Sequence, residues 1–531
     1  MAVAQVPSRA QVGLEAPLVQ IEAHLASGLP GFSIVGLPAP VVRESRERVR
    51  SAIVNAGFRF PTGRITVNLA PVELAKEGAR FDLPIALALL IAGGQLQPRR
   101  SPAPECYGEL GLSGELRPVH GLLWSAVHAA RAGHELIVPM ADLPEVRLTR
   151  HRRAHGFGNL RAVCEFLAAA GTDDNLLQSG NSGDVLEGES TAHASQFVSY
   201  TGQSGSIDDI KGQERAKRTL AIAAAGGHSL LMSGPPGSGK SLLAARLMGL
   251  LPPLTEAEAL EVAGIASLGA EGFEPASWGR RPFRSPHHSA SASAIVGGGV
   301  KLRAGEISLA HHGVLFLDEL PEYDHRVLEA LREPLEAGTI TLARAAGQRQ
   351  LPAQFQLIAA MNPCPCGYLG DPQQACRCGP RRIQRYRERL SGPLLDRIDL
   401  HIDVPRVDLR ELAATAASVA GSHRPANTPG CAAQWIDAVH QARRRQLLRQ
   451  QCCNARLDVA GLDRFCVMDV QARALLQRIG RTLALTARGY HRLLKVSRSI
   501  ADLADADTIG ATHVGEAASL RPRLGEPATG S

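Results

Sequence analysis

The sequence predicts an α/β chain with an α/β domain at the front, a parallel-sheet core built on a phosphate-binding loop, and a helical domain at the end. Three observations carry this reading. Residues 234–241 read GPPGSGKS, between an apolar run at 229–232 and a helix-like run at 242–250. Residues 313–319 read GVLFLDE, a continuous apolar run ending on two acids, which is the pattern of a strand buried on both faces. Short β-like runs alternate with helical spacing before residue 170, and helical spacing dominates after residue 433.

In chain order, residues 31–35 (GFSIV), 65–69 (ITVNL) and 135–138 (ELIV) read as strands, and 41–56 and 81–92 as helices, completing a first domain over 1–170. Residues 171–205 are rich in Gly, Ser, Asp, Asn and Thr and read as a flexible linker. The core spans 206–405, a connecting loop 406–432 and a helical domain 433–520, with helical patterns at 434–451, 469–480 and 486–503 and a tail at 521–531. A chain of 531 residues exceeds one core. At 44% hydrophobic and 21% charged it is globular, and its net charge of +7 permits nucleic-acid binding without establishing it. The first residues lack a basic start followed by an apolar core, so no export signal is expected. The longest apolar run, 83–94, is too short to span a bilayer, so no membrane association is expected either. The ten cysteines then read as reduced thiols or metal ligands, in a soluble cytoplasmic protein.

The loop carries the first chemistry. Gly234, Pro235, Pro236, Gly237, Ser238 and Gly239 let backbone amides turn towards phosphate oxygens at a helix N-terminus. Lys240 would reach the β- and γ-phosphates and Ser241 would hold Mg²⁺ through its hydroxyl, so ATP with Mg²⁺ is the expected ligand. Asp318, at the end of the apolar run, would bind the Mg²⁺ water shell, and Glu319 would polarise the attacking water. Asn362 follows a third strand-like run, 355–360, and suits either orientation of that water or an Asn-Pro turn. Cys364, Cys366, Cys376 and Cys378 frame a short polar loop. Their thiolates fit a structural Zn²⁺ site or a set of reduced thiols, the C-x-C spacing being narrower than the usual C-x-x-C. His287 and His288 lack a third ligand at convincing spacing, and a pore or intersubunit role suits that stretch better than a metal site.

Together these pieces resemble the AAA+ superfamily. Residues 281–293 (RPFRSPHHSASAS), 305–320 (GEISLAHHGVLFLDEL), 360–367 (AMNPCPCG) and 390–400 (LSGPLLDRIDL) are similar to the ComM/YifB family of magnesium-chelatase-like proteins, in the clade of magnesium chelatase and the MCM helicases. The resemblance implies a ring, expected to be a hexamer, that hydrolyses ATP to drive helicase or branch-migration activity on single-stranded or branched DNA during homologous recombination and natural transformation. It implies that Arg397 reaches the neighbouring subunit's γ-phosphate, an ion pair with Asp396 or Asp399 being the alternative. It implies a helical lid in which Arg488 touches the γ-phosphate in its own subunit, with Arg492 a rival by register. Residues 339–352 read as a hairpin, and the resemblance implies that Arg344 and Arg349 contact the DNA backbone, whereas the residues alone suit an ordinary surface hairpin.

The front domain resembles the proteolytic domain of Lon proteases over 76–89, 106–123 and 126–139. The catalytic serine position falls at Arg80 or its neighbours Ala79 and Phe81, and the lysine position at Leu123 beside Trp124. With neither nucleophile nor base, the resemblance implies the fold and argues against peptidase activity. A chelatase-like ATPase that remodels a partner for metal insertion is the alternative function.

Overall fold

The computed structural model describes residues 2–74, 76, 78–169, 205–269, 272–298, 303–344, 347–406, 431–483 and 485–521. Apart from Gly205, the expected linker lies outside these residues, as do most of the expected connecting loop and the tail beyond Arg521. The chain divides into two compact units. One joins Met1–Ala194 with Ala259–Trp278, and the other joins Ser195–Glu258 with Gly279–Ser531. The sheet core and the C-terminal helices both lie in the second unit.

The first unit is built on a four-stranded sheet in the order Ala2–Arg9, Leu18–Ala26, Arg64–Ala70, Gly31–Val35. The first two pairings are antiparallel and the last is parallel. Alternate residues of Arg64–Ala70 are buried, as a sheet with one covered face requires. The covering helix, Asp82–Ala92, is apolar on nearly all sides and almost wholly buried, so its composition follows from its central position. A parallel three-stranded sheet of Glu105–Cys106, Leu136–Pro139 and Ala154–Phe157 completes this unit, with the helix Leu122–Ala132 leading into its middle strand.

In the second unit, five parallel strands run in the order Phe283–Arg284, Val314–Leu317, Gln356–Met361, Leu230–Ser233, Leu400–Asp403. Every residue of Val314–Leu317 and of Gln356–Met361 is buried, which is why those strands read as apolar runs without alternation. The register pairs Ser233 with Met361 and Leu317 with Ala359, so the segments starting at residues 234, 318 and 362 all leave the sheet at its carboxyl edge. The helices Cys431–Gln450, Val459–Phe465, Val470–Thr482, Ala487–Leu503 and Ala511–Ser519 share one core with this sheet. Asp458, Asp469 and Thr486 cap three of them by accepting backbone N–H groups. Among the described residues no helix is long and apolar enough to cross a membrane.

Candidate active site

The phosphate loop joins the strand Leu230–Ser233 to the helix Lys240–Leu247. Gly234 has no room for a side chain, since a Cβ there would lie 2.2 Å from the Val404 carbonyl oxygen. Gln213 supports the loop from outside, its amide donating to the carbonyl of Ser238 at 2.9 Å and of Pro405 at 3.2 Å. Lys240 Nζ donates to the carbonyls of Gly234 at 2.7 Å and Pro235 at 3.0 Å, and to Asn362 Oδ1 at 3.3 Å. Burial lowers its pKa from the ordinary lysine value, while the charges of Asp318 and Glu319 act in the opposite direction.

The acids arrive from the end of Val314–Leu317, separated from the loop's own strand by Gln356–Met361. Ser241 Oγ donates to Asp318 Oδ2 at 2.8 Å, so hydroxyl and carboxylate occupy the seat expected for Mg²⁺. Glu319 adopts a left-handed backbone, φ 52°, and its N–H donates to Asp318 Oδ1 at 2.9 Å. Its carboxylate lies 3.2 Å from His288 Nδ1. Residues 236–242, Asp318, Glu319, Met361 and Asn362 line one open cleft. Among the described residues the buried hydroxyl of Ser238 has no hydrogen-bond partner. An unpartnered donor, the loop lysine and an Mg²⁺-type oxygen pair together fit a nucleotide triphosphate with its cation.

The two predicted arginines lie elsewhere, in a second cleft lined by Glu336, Arg397, Asp399, Arg488 and Arg492. Arg397 and Arg488 both pair with Glu336 Oε1, at 2.8 and 2.9 Å. Arg492 pairs with Asp399 at 2.7 Å. Burial acts to raise the Asp399 pKa, but His228 and the nearby cations outweigh it and hold the carboxyl down at about 2. Within one chain, then, Lys240, Ser241, Asp318, Glu319 and Asn362 come together, and Arg397 and Arg488 form a separate pair.

Thr339–Arg344 and Gly347–Pro352 form the expected antiparallel hairpin, and its register puts Arg344 opposite Gly347 and Arg349 opposite Leu342. The side chains of both arginines, and the tip residues 345–346, lie outside the described residues. Cys364, Cys366, Cys376 and Cys378 converge, their sulfurs all within 4.8 Å of one another. In the first unit Arg80 is buried and donates to the His120 carbonyl at 2.5 Å, and Leu123 is fully buried, so a guanidinium and an aliphatic side chain fill the two positions matched to the Lon pair. Glu336 and Gln213 had no sequence signal as site residues, and His288 was expected only within a stretch suited to a pore or intersubunit role. Glu336 lies on a short helix before the hairpin and His288 in a loop, and only the tertiary structure brings them to Arg397 and Glu319.

Comparison with known proteins extends the match beyond the loop. A family model described as magnesium chelatase, subunit ChlI, matches residues 206–412, and a model of the ChlI C-terminal region matches 431–521. A third model, subunit ChlI of Mg-chelatase, matches residues 21–142. The chain is 45% identical over 522 residues to the uncharacterized protein YifB of Salmonella typhimurium, covering 98% of this chain and 97% of that protein. It is 44% identical over 522 residues to competence protein ComM of Haemophilus influenzae, covering 98% of each. Escherichia coli YifB, also uncharacterized, is 44% identical over 523 residues, 98% of this chain and 97% of that one.

Proposed function

Since the chain belongs to the ComM/YifB family of magnesium-chelatase-like AAA+ proteins, we propose that it is an ATP-hydrolysing motor that works on DNA as a cytoplasmic ring, expected to be a hexamer. Its activity is helicase or branch migration in homologous recombination and natural transformation. The observation that carries the ring reading is the split between the two clefts. Loop lysine, Mg²⁺ seat and water-directing residues share one cleft, while Arg397 and Arg488 sit in another on Glu336.

Phosphoryl transfer to water needs positioning and charge stabilisation more than covalent chemistry. ATP with Mg²⁺ supplies the transferable phosphoryl group and a cation that neutralises its charge. On this reading Lys240 leaves its loop carbonyls for the phosphate oxygens, and Ser241 and Asp318 hold the cation. Glu319 accepts the water proton and Asn362 orients that water. Arg397 and Arg488 come from the neighbouring subunit, a step each chain cannot make alone; an arginine supplied in this way is worth about 10³–10⁵ in kcat. Arg488, expected from the sequence to act in its own subunit, acts with Arg397 on this reading, supported by their shared partner Glu336.

Three features support DNA as the track. The Haemophilus influenzae relative is named a competence protein. The chain carries a net charge of +7. Its hairpin bears Arg344 and Arg349 beside a small-residue tip, which suits phosphate contact without base readout. Strand displacement on a forked DNA tests the reading: ATP-dependent unwinding that disappears in Lys240→Ala supports it, and intact ATP hydrolysis with no unwinding or branch migration opposes it. The alternative, a chelatase-like ATPase acting on a protein partner, draws on the description carried by the matching family models. It predicts hydrolysis indifferent to every DNA.

A further inference from the structure

We propose that Cys364, Cys366, Cys376 and Cys378 bind one structural Zn²⁺, and that this metal staple fixes both Asn362 and the phosphate loop. Sulfur spacing is the first argument. Cys364 Sγ lies 3.3 Å from Cys366 Sγ and 3.6 Å from Cys376 Sγ, and Cys366 Sγ lies 3.6 Å from Cys376 Sγ. Zn–S bonds of about 2.3 Å in a tetrahedron place sulfurs about 3.7 Å apart, whereas a disulfide requires about 2.05 Å. All four cysteines are free thiols in the structure.

Local backbone geometry is the second argument. The Gly367 N–H donates to the Cys364 carbonyl at 2.9 Å, closing a turn that aims both sulfurs of the first pair the same way. The amides of Tyr368 and Arg377 point at the Cys366 sulfur, and the Cys378 amide donates to Cys376 Sγ at 3.4 Å. Such N–H groups support metal-bound thiolates from outside the ligand set. Between the pairs the chain reads GYLGDPQQA, with too little apolar surface to order itself by burial, and of the four cysteines only Cys364 is buried.

Position gives the staple its consequence. Asn362 is two residues before the first ligand. Gly367 has φ +86° and packs so closely on the phosphate loop that a Cβ would lie 2.5 Å from Pro236 Cδ. Beyond the last ligand, the helix Pro380–Arg387 carries buried Tyr386, whose hydroxyl lies towards the Asn362 backbone N–H. The proposed metal, the helix and the phosphate loop thus flank the water-directing asparagine.

The test uses the full chain purified under reducing conditions without chelator. Zinc content is measured by elemental analysis and by release with an organomercurial, beside Cys376→Ser/Cys378→Ser. One zinc per chain, lost in the double variant, with a thiolate-to-metal charge-transfer band after Co²⁺ replacement, is the expected result. Zinc no higher than in the double variant overturns the site. The positioning half rests on the nucleotide reading, but metal content does not, so the two fail separately. Gly367→Ala is expected to keep its zinc yet raise the KM for ATP about tenfold. Zinc-free chain with unchanged KM and kcat for ATP overturns the positioning role.

Discussion

Arg397 and Arg488 donate to the same oxygen, Glu336 Oε1, at 2.8 and 2.9 Å. Arg397 comes from the segment before the last strand of the sheet and is nearly buried, whereas Arg488 lies on the helix Ala487–Leu503 with its side chain half exposed. One carboxylate carries a single charge against two guanidiniums, so the pair retains net positive charge facing a cleft. In the proposed ring, a γ-phosphate supplied by an adjacent subunit would complement it.

Substituting either arginine by Ala is therefore expected to spare ATP binding and lower kcat, by about 10³-fold for Arg397→Ala. Mixing Arg397→Ala chains with Glu319→Gln chains should restore part of the rate, because a mixed interface can pair an intact arginine with an intact glutamate. Steady-state hydrolysis across a titration of the two variants reads this, and a rate that never exceeds either pure variant contradicts it.

Glu319→Gln removes the proton acceptor while keeping shape, so a loss of about 10²–10⁴ in kcat with retained nucleotide affinity is expected. His288→Ala removes the contact at 3.2 Å from the Glu319 carboxylate and should lower kcat more mildly, without changing affinity. Single-turnover hydrolysis with a parallel binding titration separates the two effects.

Acid stability of the second unit should depend on Asp399. Its carboxyl falls from the ordinary 3.8 to about 2 on folding, so the stabilisation is present above pH 3.8 and lost as pH falls through about 2. The shift corresponds to about 2 kcal/mol. Asp399→Asn, which also leaves His228 and Arg492 without their carboxylate, should unfold at lower denaturant at pH 7, with the gap to the natural chain narrowing towards pH 2.

Glu145 in the first unit should act with the opposite sign. Burial and the nearby Asp142 carboxylate raise its pKa from 4.5 to about 7, so the folded state holds the proton more tightly than the unfolded chain. Relative stability is full below pH 4.5 and declines as pH rises through about 7, by about 3 kcal/mol. Glu145→Gln should stabilise this unit at pH 8 and do little at pH 4.5, measured by chemical unfolding at each pH.

Much of the nucleotide cleft was legible because its residues are local to a strand end. The loop at 234–241, the acids at 318–319 and Asn362 each follow an apolar run whose burial in a parallel sheet sends them to one edge. The hairpin at 339–352 was legible for the same kind of reason, a β-branched start and a small-residue tip. Glu336 was not, since nothing local distinguishes it from other helix-surface acids and its partners lie far along the chain. Arg397 has acidic neighbours in sequence at 396 and 399, yet the structure pairs it with Glu336. The opening hairpin Ala2–Arg9 with Leu18–Ala26 was also unread, because apolar and polar residues in its first strand follow no strict alternation. Nor did composition foretell that Ala259–Trp278 groups with the first unit.

ATP hydrolysis measured with and without single-stranded and branched DNA, beside Glu319→Gln, tests the central claim most directly. A DNA-driven motor predicts marked stimulation by DNA that vanishes in the variant. A rate indifferent to every DNA, with hydrolysis otherwise intact, contradicts the claim and turns attention to a protein partner.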